Sequence, residues 1–214
     1  MTPSLAGCRT VVVATSNPHK VDEIRAVLAS EGLVVKSLHD VGGGGIAEPD
    51  ENGATFAANA RIKAIAYARA LGTWVLADDS GLEVDALGGA PGIHSARWAG
   101  RGAGRDERDA ANNEKLLVAL AAVPLDRRGA RFVCAMCVAD AEGRVLAETR
   151  GEFPGTIGMS PRGSNGFGYD PLLIVDPDGR TSAELATSEK NARSHRGMAT
   201  RAMARMLVQF TPAR

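Results

Sequence analysis

Thr10-Val11-Val12-Val13-Ala14-Thr15-Ser16-Asn17-Pro18-His19-Lys20-Val21-Asp22-Glu23-Ile24 is the stretch from which the fold is read. Thr10 to Thr15 is a short β-branched run closed by turn formers, which predicts a buried strand. Pro18 suits the first turn of a helix, and Val21, Ile24, Val27 and Leu28 recur on one face at the spacing of a helix packed on a sheet. LVVKSL, from Leu33, then supplies a second strand.

The alternation continues downstream. Gly42 to Gly45 are too flexible for regular structure, and with the acidic EPDENG segment they read as a mobile connection. Helix returns at Thr55, with Phe56, Ala60, Ala64, Ile65 and Ala68 on one side and an end near Leu71-Gly72. TWVLAD, ending at Asp78, predicts a third strand, and GLEVDALGG a short further one. A helix over Arg108 to Ala122 follows a Gly- and Pro-rich loop. RFVCAMCVAD and RVLAETRGEF alternate as antiparallel strands joined across Ala141-Glu142-Gly143. PLLIVD is a sixth strand, and Ser194 to Phe210 a closing helix. Interleaved strands and helices with a late hairpin predict an α/β fold, a mixed sheet covered by helices, in one domain over residues 1–214.

Lys+Arg 25 against Asp+Glu 25 leaves a formal net charge of zero, which disfavours nucleic acid or an anionic membrane as a partner. A small anion is still accessible to a local cluster of amides and cations. No apolar stretch approaches the roughly 20 residues of a membrane helix, and the N-terminus does not read as a signal peptide, so a cytoplasmic protein is expected. Three cysteines, Cys8, Cys134 and Cys137, fit a reducing compartment. Cys134 and Cys137 form a CxxC pair, but three steps along a strand place them on opposite faces, so they read as small buried residues.

Five segments carry candidate chemistry. Thr15, Ser16, Asn17, Pro18, His19 and Lys20 join strand to helix, where free amides, the helix dipole and a lysine can hold phosphate. Taken alone, that segment reads more simply as a helix cap. Asp78-Asp79-Ser80-Gly81 sits at the C-terminal end of the third strand, where open α/β sheets place ligands. Adjacent carboxylates repel, and a divalent cation with phosphate ligands relieves that repulsion. Glu48, Asp50 and Glu51 offer a second metal contact or merely a solvated loop. Gly163 to Pro171 contains Phe167, Gly168, Tyr169 and Asp170 among glycines, a place for a flat base to stack. Lys190, His195 and Arg196 add cationic donors near a helix start. The chain has neither a Walker A loop nor G-x-G-x-x-G, and its histidines lack zinc-hydrolase spacing.

In order and spacing, VVVATSNPHKVDEI, ENGATFAANARIKA, LADDSGLEVDALGGAPGIHSARWAG, GSNGFGYDPLL and AELATSEKNARSHRG resemble the successive blocks of the non-canonical purine triphosphate pyrophosphatase family, also called Ham1-like. His19 stands where that family often has a small residue, and His94 where an aromatic is common. The resemblance implies an elongated mixed sheet, two lobes with a nucleotide cleft between them, and a homodimer. It implies Mg²⁺-dependent hydrolysis of inosine and xanthosine triphosphates to monophosphate and pyrophosphate. Thr15 to Lys20 would hold the triphosphate, Asp79 would be base and metal ligand, and Ser80 would contact substrate. Phe167, Gly168, Tyr169, Asp170, Lys190, His195 and Arg196 would complete the site. A further metal contact falls to Asp50 or Glu51, with Glu48 also open.

Two other readings remain at this level. A septum-inhibition-type pyrophosphatase acting on modified pyrimidine triphosphates shares the opening motif, but FGYDP and SHRG favour the purine enzyme. A non-cleaving nucleotide sensor has no need of the Asp78-Asp79 pair.

Overall fold

The computed structural model describes residues 10–209 apart from 176 and 178, so the readings for Cys8, Asp176 and Phe210 lie outside the described residues. Strand β1 (Thr10–Val13) is buried over its three valines, as a β-branched run needs. Helix α1 (Pro18–Ser30) starts where its capping chemistry places it: Asn17 Oδ1 accepts the His19 amide at 3.1 Å, with proline in the first turn. Its buried face is Val21, Ile24, Val27 and Leu28. Strand β2 (Val34–Ser37) returns parallel to β1, with Thr10 opposite Val34 and Val13 opposite Ser37.

The glycine run is more ordered than expected. His39–Val41 and Gly43–Gly45 form short 3₁₀ turns; Gly42 supplies a φ of 71° between them, and the Gly43 amide donates to the Leu38 carbonyl at 2.8 Å. Helix α2 (Phe56–Leu71) is capped by Thr55, whose hydroxyl accepts the Ala58 amide at 3.1 Å, and is ended by Gly72. Ile65 is only half-buried, whereas Asn59, Lys63 and Tyr67 are buried beside the expected alanines.

Strand β3 (Val75–Val84) corrects a larger expectation. Asp78-Asp79-Ser80-Gly81 does not end the strand; the strand runs through it and absorbs the short segment predicted after it. Gly81 allows this, because a Cβ there would lie 2.3 Å from Ser95 Oγ and 2.7 Å from the Gly92 carbonyl. Ser95 Oγ in turn accepts the Leu82 amide at 2.9 Å. Earlier in the strand, β3 pairs in parallel with β1 only at Val75 and Leu76, and the Ala14 amide donates to the Leu76 carbonyl at 2.8 Å. Asp78 and Asp79 therefore lie past the end of β1, where the sheet leaves room for side-chain chemistry.

Helix α3 (Arg105–Ala119) lies three residues earlier at each end than the expected Arg108 to Ala122. Asp106 and Glu107 favour the early start through the helix dipole. The early end follows from Arg128, which is 1% exposed and donates to the carbonyls of Leu120 at 2.7 Å and Val123 at 2.9 Å. Strands β4 (Gly129–Ala139) and β5 (Val145–Ile157) form the late hairpin, closed where Asp140 accepts the Arg144 amide at 2.8 Å. Strand β6 (Leu173–Val175) pairs antiparallel with β5, and a two-residue strand β7 (Arg180–Thr181), absent from the sequence reading, pairs antiparallel with β6. The expected closing helix is α5 (His195–Gln209), and a short helix α4 (Thr187–Arg193), absent from the sequence reading, precedes it across an extended Ser194.

The sheet order is β2-β1-β3-β4-β5-β6-β7, parallel among β1 to β3 and antiparallel from β5 to β7, so the expected mixed α/β sheet is present. By contacts the chain divides into two compact units. One takes the residues up to Asp79, Cys134–Gly151 and those from Arg196 on; the other takes Ser80–Val133 and Glu152–His195. The first has a core of Val11, Val13, Ile24, Leu28, Leu76, Met136 and Met203 among others. The second packs Leu82, Leu116, Phe132, Phe153, Ile157 and Leu172. Cys134 and Cys137 are buried, unbridged strand residues, as the spacing predicted. Among the described residues no helix is long and apolar enough to cross a membrane.

Alanine normally suits a strand better than glycine, but at position 81 the sign should reverse. Gly81→Ala is expected to lower unfolding free energy by about 1–3 kcal/mol, the usual range for overpacking. Urea denaturation with an unchanged m-value checks it; wild-type stability would show that Ser95 yields freely.

Candidate active site

In the first unit, the chemistry gathers on β3. Successive strand residues face opposite sides of a sheet, so Asp78 and Asp79 meet different partners. Asp78 Oδ2 lies 3.0 Å from Lys20 Nζ and 3.5 Å from Arg196 Nη2. Arg196, 2% exposed, also holds Glu23 at 2.5 Å. The other oxygen, Asp78 Oδ1, is buried and finds no hydrogen-bond partner among the described residues. Burial works to raise the Asp78 pKa, but Lys20, Arg196 and Lys63 overcome it and hold the carboxyl well below the usual carboxylate range.

Asp79 faces α2. Asn59 Nδ2 donates to its Oδ2 at 3.1 Å, and Lys63 Nζ stands 3.8 Å from its Oδ1. The same ammonium holds Glu51 Oε2 at 3.1 Å. Burial raises the Asp79 pKa above its ordinary value, with Lys63 and Lys20 opposing and Glu51 assisting. Burial also opposes the charge on Lys63, yet Asp79, Asp78 and Glu51 keep its pKa above the ordinary value. One aspartate is thus held ionised by its cations, while burial raises the pKa of its neighbour.

The phosphate-segment residues divide by role. Thr15 Oγ1 accepts the Asn17 amide at 3.1 Å, and Asn17 caps α1, so both shape the loop. Ser16, Pro18 and His19 are exposed, and Lys20 reaches Asp78. In the acidic loop, Glu48 and Asp50 are exposed, whereas Glu51 is half-buried and shares Lys63 with Asp79. No group of three or more His, Cys, Asp or Glu suited to a metal occurs among the described residues. Two carboxylates drawn to one ammonium do fit Mg²⁺, which keeps few protein ligands and fills its shell with phosphate and water.

The second unit carries the aromatic loop. Asp170, 2% exposed, accepts the Phe167 amide at 2.8 Å and the Lys190 ammonium at 2.5 Å. Gly166 lets this happen: its φ is 79°, and a Cβ there would lie 2.0 Å from Asp170 Oδ2. Lys190 Nζ is 5.4 Å and Arg105 Cζ 5.9 Å from the Phe167 ring centroid. The Gly168 amide donates to Asp109 Oδ2 at 2.8 Å, and its carbonyl accepts from Asn113 Nδ2 at 2.9 Å. Tyr169 is a core strut, its hydroxyl donating to the Ser95 carbonyl at 3.0 Å. Burial pushes its pKa far up. His195 is buried and stacks on Phe132 at 5.0 Å, and Ser80 is half-buried on β3.

Sequence reasoning missed Asn59, Lys63, Glu23, Arg105, Asp109 and Asn113. For Asn59 and Lys63 a signal existed: they stand four apart on the apolar face of α2, where a polar residue needs a partner.

The Ham1 family model matches residues 11–206. A dITP/XTP pyrophosphatase of Exiguobacterium sibiricum is 48% identical over 200 residues, 94% of this chain and 98% of its own. One from Frankia alni is 50% identical over 198 residues, 92% and 96% of the two chains. Among solved structures, a HAM1 protein from Coxiella burnetii superposes with a TM-score of 0.82 at 37% identity, over 94% of this chain and 98% of that one. A Mycobacterium abscessus nucleoside-triphosphatase, titled dITP/XTP pyrophosphatase, superposes at 0.72 with 44% identity, over 91% and 98%.

The two aspartates should affect stability with opposite sign. Asp78, depressed in the folded state, contributes stability that is complete above the unfolded carboxylate pKa and is lost as pH falls through the folded value. Asp79, raised when folded, detracts from stability once pH exceeds its folded value, and that deficit vanishes below its unfolded pKa. Asp78→Asn is therefore expected to destabilise at pH 7 by about 3–5 kcal/mol, as when a buried ion pair is broken, and by less at acid pH. Asp79→Asn should leave the fold as stable or more so at pH 7. Urea titrations at both pH values test the pair, and equal losses would refute the division of roles.

Proposed function

The chain belongs to the Ham1 family, and from that premise we propose that it hydrolyses non-canonical purine nucleoside triphosphates, dITP and XTP among them, to the monophosphate and pyrophosphate. Relatives that bear this activity in their names are about half identical to it over nearly their whole length. The observation that carries the mechanism is the contrast between the two adjacent aspartates: Asp78 is held by the cations of Lys20 and Arg196, whereas Asp79 faces the Asn59 amide and, with Glu51, the Lys63 ammonium.

In this reading Asp79 takes a proton from water while Asn59 holds its other oxygen in place. The water oxygen bonds to phosphorus, the α–β phosphoanhydride bond breaks, and pyrophosphate leaves with the electron pair. Phosphoryl transfer depends on charge neutralisation and alignment rather than on covalent help. Lys20 and the start of α1 would meet the phosphates. Glu51 and Asp79 would hold Mg²⁺, which when bound neutralises phosphate oxygens. Lys63 keeps both carboxylates turned the same way.

Phe167 would stack on the base, with Gly168, Asp170 and Lys190 beside it and His195 also meeting the nucleotide, and a donor facing the 6-oxo group would reject adenine. A buried unpaired donor costs about 1–3 kcal/mol, enough for substantial discrimination. Arg196, committed to Asp78 and Glu23, acts more through Lys20 and Asp78 than by free donation. We also propose a homodimer, on family resemblance, and a cytoplasmic setting, which three cysteines in a chain of this length fit. The neutral net charge supports a small anion rather than a nucleic acid or membrane as partner.

The test is pyrophosphate release, with and without Mg²⁺, from dITP, XTP, ATP, GTP and a modified UTP at equal concentration. Magnesium-dependent release from dITP and XTP, with little from the others, is expected. Asp79→Asn should lower turnover by about 10²-fold or more with the fold intact. Release confined to the pyrimidine would overturn the assignment, and near-wild-type turnover of the variant would remove Asp79 from the reaction.

A further inference from the structure

Helix α3 carries Arg105, Asp109 and Asn113 at four-residue steps, so the three side chains share one face. Two of them grip a single residue: Asp109 takes the Gly168 amide at 2.8 Å, and Asn113 donates to the Gly168 carbonyl at 2.9 Å. Both peptide groups of Gly168 are thereby fixed, and with them the backbone next to Phe167. The third, Arg105, holds its guanidinium carbon 5.9 Å from the centre of the Phe167 ring.

Arg105 differs from the arginines around it. Arg101 pairs with Glu114, and Arg108 donates to the Ala103 carbonyl at 3.2 Å. Arg105 makes no hydrogen bond or ion pair with any described residue, and among those residues its guanidinium meets the Phe167 ring. Helix stability does not account for it either. A cation on the first residue of a helix faces the positive end of the dipole, and Asp106 and Glu107 already fill the favourable role there. Lys190, the other cation over the ring, is neutralised by Asp170 at 2.5 Å. The charge of Arg105 has no such partner.

The geometry points to Arg105 as a specificity-determining residue for the purine base, kept in register with Phe167 by Asp109 and Asn113. The inference rests on the reading that the chain takes a purine nucleotide whose base lies on Phe167. A guanidinium has donors and no acceptor, and it stacks readily on aromatic planes. Directed at the 2-position edge of the base, it therefore favours a carbonyl there and disfavours an exocyclic amine. Xanthine carries a carbonyl at both the 2- and 6-positions, hypoxanthine only at the 6-position, and guanine replaces the 2-carbonyl with an amine. Arg105 should favour xanthine most and guanine least.

The experiment measures kcat/KM for XTP, ITP and GTP with the full chain as wild type, Arg105→Ala and Asn113→Ala. Arg105→Ala is expected to lower kcat/KM for XTP by about tenfold, the worth of a hydrogen bond to a charged group, through KM and with kcat unchanged. ITP should lose less and GTP least, so that the preference among bases flattens. Asn113→Ala, which frees Gly168, should weaken all three alike. An Arg105→Ala protein with the wild-type ratio among the three bases would overturn the inference while leaving the enzyme assignment intact. Absence of pyrophosphate release by the wild type would sink both.

Discussion

A carboxylate with no exposed surface on its side chain, Asp78, is the constraint around which the first unit is built. Burying that charge is tolerable only because Lys20 from α1 and Arg196 from α5 arrive beside it, so the first and last helices are tied to the same point of β3. Asp79, next along the strand, faces α2 instead, where Asn59 donates to it and Lys63 stands at 3.8 Å, and burial raises its pKa against the pull of Lys63 and Lys20.

Much of this was legible in the sequence where local chemistry decides the outcome. The β-branched run at Thr10, the Asn17 cap, the Thr55 to Gly72 helix and the opposed cysteines all depend on neighbours in the chain, and the structure has them. Failures came where distant residues intervene. Asp78 to Gly81 read as the end of one strand before another; that a single strand runs through depends on the close approach of Ser95, fourteen positions beyond Gly81, which leaves no room for a Cβ there. Likewise α3 ends early because of Arg128, and no periodicity within the helix could announce a guanidinium arriving from beyond it.

The candidate site was legible in part. Asp79, Lys20 and the aromatic loop declared themselves as chemistry-bearing residues at strand and helix ends. The sequence left Glu48, Asp50 and Glu51 undivided, because a loop has no period by which to rank them. Only Glu51 turns out to share the Lys63 ammonium. The grip of Asp109 and Asn113 on Gly168 was unreadable for a similar reason: two polar residues on a charged helix look solvated until the partner loop, more than fifty residues away, is placed against them.

Cys134 lies on β4 with its sulfur 3.9 Å from the Asp78 carboxylate. Burial above all, and then that negative charge, push its thiol up to about 12, so almost none of it is thiolate at neutral pH. Cys137 on the opposite face is pushed equally high, to about 12, by burial and Glu148. Neither sulfur should react with an alkylating reagent while β4 stays in the sheet. Their labelling rate would thus serve as a clock for local opening of the central strands, recording how often the sheet breathes next to Asp78.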